Sequence, residues 1–324
     1  MRTKEVIQAW KSILSGRRPS LAIEITRECP LRCPGCYAYG EGHVSGMNLR
    51  QLHDKRGDDL VQGVLALVDE YRPLHLSIVG GDPMVRHREV TQLLPELNAR
   101  GVHVQIVTSA FRPIPEEWSR FDHLNIVVSI DGLQPEHDAR RKPATYARIL
   151  ESIHDSHVTI HCTITSQMMK RPGYLQDFIA FWSARPEINK IWMSMFTPQI
   201  GATDPEILTR KQRIEAVEEL MRLRVLYPKL DMPEGLIKEF LHPPDSPQAC
   251  IFAQTTHTIS ADLTSKVTPC QFGGNPDCSQ CGCVASMGLA AVGNYKVGMG
   301  VTAGQIFRAS TSMSKAVKKL KRVA

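Results

Sequence analysis

Apolar and polar residues alternate with a period of two in short runs, and between those runs apolar residues recur every three to four positions. Leu21-Ala-Ile-Glu-Ile-Thr26 is the first alternating run, and its spacing predicts a strand. The same pattern predicts strands at His75–Val79, His103–Thr108, Asn125–Ile130, Thr159–Thr165 and Ile191–Phe196. Helical periodicity lies near 49–71, 87–100, 115–121, 143–155 and 173–184. Six strand–helix repeats predict an α/β fold with a parallel sheet and its helices outside. Right-handed crossovers would curl such a sheet into a barrel or partial barrel. A doubly wound open sheet fits the same periodicity, which does not separate the two.

Outside the repeats, residues 1–18 read as an N-terminal helix and a basic connector, Ser15-Gly-Arg-Arg18. Residues 205–227 read as a charged amphipathic helix whose stripe of Ile207, Ile214, Val217, Leu220, Met221 and Leu223 is a packing face. Pro228, Pro233, Pro243, Pro244 and Pro247 mark a linker and place a domain boundary near residue 235. The expected units are 1–18, a barrel at 19–234, a small cysteine-rich C-terminal domain at 235–290 and a tail at 291–324. No repeat of fixed period and no low-complexity segment stands out.

Composition narrows the class. With 324 residues, 42% hydrophobic and 22% charged, the chain has the profile of a soluble globular protein. No apolar run approaches the length of a membrane span, and Met1-Arg-Thr-Lys-Glu-Val-Ile contains no signal-peptide core. Nine cysteines without a secretion signal point to a reducing, cytoplasmic compartment and to metal ligation rather than disulfides. The net charge of +6 is mild and gathers in the tail, at Lys315, Lys318, Lys319, Lys321 and Arg322. That tail reads as a solvated helix end, and no nucleic-acid partner is expected. The Ala/Val/Gly/Met-rich segment 284–307 beside the basic end suits peripheral membrane contact at most.

The chemistry concentrates in Glu28-Cys29-Pro-Leu-Arg-Cys33-Pro-Gly-Cys36-Tyr37, directly after the first strand. α/β folds place their chemistry at such strand ends. Three thiolates on one loop suffice for three irons of a [4Fe–4S] cluster, which normally takes four protein ligands. The fourth iron is then open to a substrate or cofactor. The alternatives are three unrelated thiols or a zinc site, although zinc sites usually show two Cys-x2-Cys pairs or Cys/His pairs.

Cys-x3-Cys-x2-Cys after a first strand resembles the radical S-adenosylmethionine (radical SAM) superfamily. The resemblance implies a partial (β/α)6 TIM-like barrel, which the six repeats match. It implies that Cys29, Cys33 and Cys36 bind the cluster, that SAM chelates the open iron, and that one electron cleaves SAM to methionine and a 5′-deoxyadenosyl radical. The residue before the third cysteine is usually aromatic in that family and is Gly35 here, so Tyr37 is the candidate to cover the adenine.

Other strand ends carry family-like elements. Gly80-Gly81-Asp82-Pro83 resembles the Gly-Gly-Glu-Pro whose backbone binds the SAM ammonium, with Asp82 in place of glutamate. Paired glycines let a backbone approach a ligand closely. Val107-Thr108-Ser109-Ala110 stands where the family shows Thr-Asn-Gly. Ser129-Ile130-Asp131-Gly132, with His137-Asp138-Ala-Arg140-Arg141 and Tyr146, resembles members with a cysteine-rich extension. Ser109, Ser129 and Asp131 are therefore candidate SAM contacts, against the alternative of capping and turn chemistry. In the fifth strand, His161 and Cys162 occupy opposite faces, one of which lines the barrel. His161 is a candidate for proton transfer and Cys162 for hydrogen-atom donation. The alternative is an ordinary strand histidine beside a buried structural thiol.

A second cysteine set, Cys250-x19-Cys270-x7-Cys278-x2-Cys281-x-Cys283, puts five of nine cysteines within 34 residues. The stretch Ser260-Ala-Asp262-Leu263 through Pro269-Cys270 reads as a hairpin between ligands. It resembles the SPASM and Twitch auxiliary-cluster domains, with Leu263 where they have glycine. Five cysteines suffice for one auxiliary [4Fe–4S] cluster, and the resemblance points to Cys250, Cys270, Cys278 and Cys281, with Cys283 as an alternative. A zinc site on the same thiolates is the rival.

The whole implies a cytoplasmic radical SAM enzyme supplied by a flavodoxin- or ferredoxin-like electron donor. Relatives with such extensions often modify ribosomally made peptides, making a peptide the first substrate class. A small-molecule or lipid precursor is the second, and a non-catalytic iron–sulfur SAM sensor is the reading from another class.

Overall fold

The computed structural model describes residues 3–143, 146–298 and 301–310. Six strands, β1 (Ser20–Glu24), β2 (His75–Val79), β3 (His103–Thr108), β4 (Leu124–Ser129), β5 (Val158–Ile164) and β6 (Ile188–Met195), follow one another across a single sheet. β7 (Thr256–Ile259) joins the same sheet beside β1, giving the order β6-β5-β4-β3-β2-β1-β7. Every pairing in this sheet is parallel. The sheet stays open between its edges β6 and β7, as a partial barrel does.

α1 (Thr3–Leu14) precedes the sheet. α2 (Gly57–Tyr71), α3 (His87–Ala99), α4 (Gln134–Arg140), α5 (Tyr146–Ser152) and α6 (Tyr174–Ser183) lie between its strands. α7 (Arg210–Leu226), α8 (Glu234–Glu239) and α9 (Ile251–Thr255) lead from β6 to β7. α10 (Val284–Asn294), the hairpin of β8 (Lys296–Gly298) and β9 (Val301–Thr302), and a helix at 303–310 follow.

The two faces of the sheet differ because side chains alternate along a strand. Leu76 and Ile78, Val104 and Ile106, and Ile160, Cys162 and Ile164 are buried against Leu60, Val64, Val90, Leu93, Phe178 and Trp182 from the helices. His75, Ser77, Val79, His103, Gln105, His161 and Thr163 take the other positions and stay half-buried. The outer face is thus the hydrophobic core, and the inner face is more polar and partly open.

The strands lie within three residues of their expected positions. Helical structure departs more. Near 49–71 the α-helix begins only at Gly57, after a 3-10 turn at Leu49–Gln51. The intervening Asp54 carboxylate is held away from the helix by Thr26 Oγ1 (2.7 Å) and Arg86 (2.9 Å). Near 115–121 the segment is a 3-10 helix, Glu116–Arg120, pinned by the buried Trp118 after the rigid Pro113 and Pro115. Within 205–227, a capping box of Thr209 and Gln212 starts α7 at Arg210.

The cysteine-rich segment bridges the gap between the sheet edges. On the β7 side it enters the sheet directly. On the β6 side, Met195 N–H donates to Gly282 O (2.9 Å), Gly282 N–H to Thr197 Oγ1 (2.8 Å) and Val284 N–H to Ser194 Oγ (3.2 Å). Among the described residues no helix is long and apolar enough to cross a membrane. The basic cluster at Lys315–Arg322 lies outside the described residues.

Candidate active site

The loop leaving β1 folds back over the mouth of the sheet. Its backbone is zipped to the β2 end: Gly81 N–H donates to Thr26 O (2.7 Å) and Asp82 N–H to Glu28 O (2.9 Å). Arg32 N–H donates to Lys142 O (2.6 Å), and Tyr39 Oη donates to Arg27 O (3.0 Å). Arg86, buried, joins the loop's Glu28 (3.2 Å) to Asp54.

This loop carries Cys29, Cys33 and Cys36, all half-buried and free of disulfides. Leu31 N–H donates to Cys29 Sγ (3.4 Å). Burial pushes the Cys29 thiol up to about 12, with Asp82, Cys33 and Cys36 adding repulsion against the Leu31 hydrogen bond. Burial raises Cys33 as well, opposed by Arg141 and Arg140. For Cys36, also raised by burial, the amides of Ala38 and Tyr39 and the two arginines pull the other way. As thiolates the three would raise one another's pKa, and a cationic centre is what would relieve them.

Gly80 and Gly81 are needed for chain packing. A Cβ on Gly81 would run into the Glu28 carbonyl, and one on Gly80, at φ +125°, would lie 2.8 Å from Thr26 O. The glycine pair lets the β2 end approach the cysteine loop. The Asp82 carboxylate turns inward and is fully engaged: Oδ1 accepts from Thr108 Oγ1 (2.7 Å) and Met84 N–H (3.0 Å), while Oδ2 accepts from Ser109 N–H (2.9 Å) and Oγ (2.5 Å). Asp82 and Ser109 thus form one strut between the ends of β2 and β3.

Past β4, Asp131 is 1% exposed and pairs with Arg140 and with Arg141 (2.7 Å), while its other oxygen accepts from Thr163 N–H (3.2 Å). Burial opposes its charge, but the two guanidinium groups prevail and hold it well below the usual carboxylate range. Arg140 forks onto Glu206 as well (2.6 and 3.0 Å). Asp131, Arg140, Arg141 and Glu206 make a balanced ion-pair cluster beside Cys33 and Cys36. Ser129 is buried at the end of β4 opposite His161 in register.

On β5, His161 lies on the inner face, with Nε2 2.7 Å from Ser194 Oγ. Burial keeps it neutral, down to about 4, with Asp131 and Arg141 acting in opposite senses. Cys162 is wholly buried in the core on the outer face. Gly35 has φ +67°, which favours glycine, and a Cβ there would meet Glu206 Oε2 at 2.9 Å and the Phe196 ring at 3.3 Å, so both side chains would have to give way to a larger residue. Tyr37 turns toward the second cysteine group, with ring centroids 5.3 Å from Phe272 and 5.7 Å from His43.

Cys250, Cys270, Cys278, Cys281 and Cys283 line one cavity, together with Thr197, Phe272 and Ser286. Burial raises Cys270 to about 12, Cys278 to about 11, and Cys281 and Cys283 as well, with neighbouring thiols adding to each. Cys283 Sγ accepts from Gln271 Nε2 (3.2 Å), and Cys250 Sγ lies 3.2 Å from Ser286 Oγ. Arg213 of α7, buried, donates to the carbonyls of Gln280 (2.6 Å), Cys281 (3.1 Å) and Phe240 (3.0 Å), holding the Cys278–Cys281 turn.

Two buried residues join the cysteine groups and escaped sequence reading. Glu24, at the end of β1, binds His43 Nε2 (2.6 Å) and Ser260 Oγ, and His43 Nδ1 meets Phe272 O (3.1 Å). Burial alone would lower His43, but Glu24 and the Phe272 carbonyl outweigh it and raise its pKa. The available signal was Glu24 itself, a charge inside an apolar run.

Among the described residues, no three His, Cys, Asp or Glu side chains close around a point as ligands of a single metal ion. The donors instead form two broad sets of thiols, three on one loop and five around one cavity. That donor chemistry fits iron–sulfur clusters, which are held by cysteine thiolates.

These features define a partial α/β barrel with a three-thiol loop at the mouth and a cysteine-lined closure of its open side. Residues 23–177 match the model of the Radical SAM superfamily. No curated protein matches the chain. Among solved structures it is similar to Streptococcus suis SuiB bound to S-adenosylmethionine, at 15% identity and TM-score 0.52, over 80% of this chain and 60% of SuiB. It is likewise similar to SuiB bound to the precursor peptide SuiA, at 15% identity and TM-score 0.54, over 88% and 67%. A third is native anSMEcpe with bound AdoMet and Cp18Cys peptide, at 15% identity and TM-score 0.56, over 78% and 74%. The chain spans about three fifths of the SuiB length in the first of these. At such identities the likeness is one of fold.

Proposed function

We propose that this chain is a radical SAM enzyme acting on a peptide, with Cys29, Cys33 and Cys36 as ligands of a [4Fe–4S] cluster. The observation that carries the proposal is the placement of three half-buried, free thiols on the single loop after β1, which the β2 end pins and which lies within the superfamily match. With SAM bound, such a cluster supplies a 5′-deoxyadenosyl radical able to take hydrogen from an unactivated C–H bond.

The chain's own residues hold the loop in place and line the reaction space. The Gly80–Asp82 backbone pins the loop, and the Asp131–Arg140–Arg141–Glu206 cluster fixes the charge beside Cys33. His161 and Thr163 face the open side of β5, where neutral His161 is positioned to hold or accept a proton. Cys250, Cys270, Cys278 and Cys281, with Cys283 as the alternative, are assigned an auxiliary cluster, and Tyr37 and Phe272 lie between the two cysteine groups. A flavodoxin- or ferredoxin-like protein is the proposed electron donor. Peptide as the substrate class is supported by the fold shared with SuiB and anSMEcpe, whose structures hold peptides.

Anaerobically reconstituted protein given dithionite should convert SAM to 5′-deoxyadenosine, and Cys29→Ala, Cys33→Ala or Cys36→Ala should each abolish that conversion. Iron should approach about eight per monomer and about four in the triple variant, following the cubane stoichiometry. Full SAM cleavage in any single variant would sink the first assignment. Zinc without iron in the triple variant would sink the second.

A further inference from the structure

A second cavity, of about 180 Å³, lies behind the wall formed by Phe252, Ala253 and Cys270, at the start of the edge strand β7. It is separate from the strand ends that carry the Cys29 loop. Arg18 reaches it from the connector before β1, β7 contributes His257 and Thr258, and the returning chain contributes Lys266 and Thr268.

The charge here is unbalanced. Arg18 donates from one amino group to Thr256 O (2.8 Å) and Ala253 O (3.3 Å), which fixes the guanidinium against β7. Its remaining N–H groups have no partner among the described residues. The Lys266 ammonium makes no ion pair and no hydrogen bond there either. No carboxylate lines the cavity. Arg18, Lys266 and His257 line the one hollow, and burial together with the two charges lowers the His257 pKa to about 4. The imidazole is neutral and keeps one N–H to donate. Thr258, 6% exposed, makes no side-chain hydrogen bond among the described residues.

Two unpaired cations, a neutral imidazole and free hydroxyls around one hollow are donors without an acceptor. Guanidinium groups in particular match phosphate oxygens with parallel N–H bonds. At roughly 30 Å³ per water, the hollow holds about six waters. That is room for one oxyanion group and too little for a nucleotide or SAM. We propose that this cavity binds a terminal phosphate group, carried by a small phosphorylated molecule or by a lipid headgroup. The site stands independently of the radical SAM reading, because neither the Cys29 loop nor SAM takes part in it.

The test uses inorganic phosphate as the probe, on the full chain with its metal in place. Phosphate should raise the melting temperature in a saturable way at millimolar concentration, and ³¹P line broadening should report the same affinity. Lys266→Glu, at an exposed residue that makes no ion pair among the described residues, should weaken binding at least tenfold without lowering the phosphate-free melting temperature. Arg18→Gln should abolish binding. A Lys266→Glu protein that binds phosphate as tightly as the parent would overturn the site, as would a parent protein with no response. A third arm uses vesicles with and without phosphatidic acid. Capture by phosphatidic-acid vesicles that Lys266→Glu abolishes supports the site and assigns the phosphate to a lipid. Capture that Lys266→Glu leaves unchanged counts against it.

Discussion

Asp82 shows how a motif residue can act through structure. Its two carboxylate oxygens accept four hydrogen bonds from Met84, Thr108 and Ser109, and no oxygen is left for a ligand. Each donor is buried, and an unsatisfied buried donor costs about 1–3 kcal/mol. Asp82→Ala is therefore expected to destabilise the protein by about 3 kcal/mol or more, read from chemical denaturation. Because Gly81 and Asp82 N–H also hold the cysteine loop, the same variant should weaken the proposed cluster at Cys29 before the one proposed for the C-terminal cysteines. An unchanged unfolding midpoint would contradict the strut. Gly35 belongs to the same scale: its left-handed backbone at φ +67° and the nearby Phe196 and Glu206 side chains favour glycine, which no local pattern reveals.

Between β7 and Cys270 the chain turns at Leu263, a leucine at φ +61° where such hairpins carry glycine. Left-handed backbone costs a non-glycine residue about 1–2 kcal/mol. The side chain accounts for the choice, because Leu263 packs into the core against Gly63 of α2, where a Cβ would collide with it. Truncating a buried leucine costs about 2–5 kcal/mol, more than the strain relieved. Leu263→Gly should accordingly destabilise by roughly 2 kcal/mol. Arg72, the exposed left-handed residue that ends α2 at φ +47°, buries nothing. Arg72→Gly should stabilise by up to about 1 kcal/mol, glycine being preferred at that position. Denaturation curves of the two variants should move in opposite directions, and a shared direction would refute the packing account.

Across the molecule, histidines set the response to pH. Burial holds His75, His137, His161 and His257 neutral down to about 4. Below the unfolded value of about 6.5 the unfolded chain binds protons that the folded chain refuses, so stability falls as pH drops from about 6.5 toward 4. His43 acts in the opposite sense. Its pKa is raised in the fold, so its bond to Glu24 contributes fully below about 6.5 and fades as pH rises through the raised value. Unfolding free energy measured between pH 4 and 8 should climb steeply to about 6.5 and then level or decline. His43→Gln should flatten the upper limb alone. A profile that is flat below 6.5 would contradict neutral burial of the four.

The sequence by itself determined the six-repeat α/β architecture, the cysteine loop after β1 and the grouping of the later cysteines. Those features are local: a strand alternates with its own neighbours, and the spacing of Cys29, Cys33 and Cys36 needs no partner. Only the tertiary structure decided that β7 pairs with β1, that five thiols and Thr197 surround one cavity, and that His161 faces the open side while Cys162 faces the core. It also paired Glu24 with His43, Arg140 with Glu206 and Arg213 with the Gln280 and Cys281 carbonyls. Each of these joins segments whose own patterns are silent about the other. The reason is physical: alternation and spacing are written along the chain, whereas hydrogen-bond satisfaction and close packing are conditions on what meets in space.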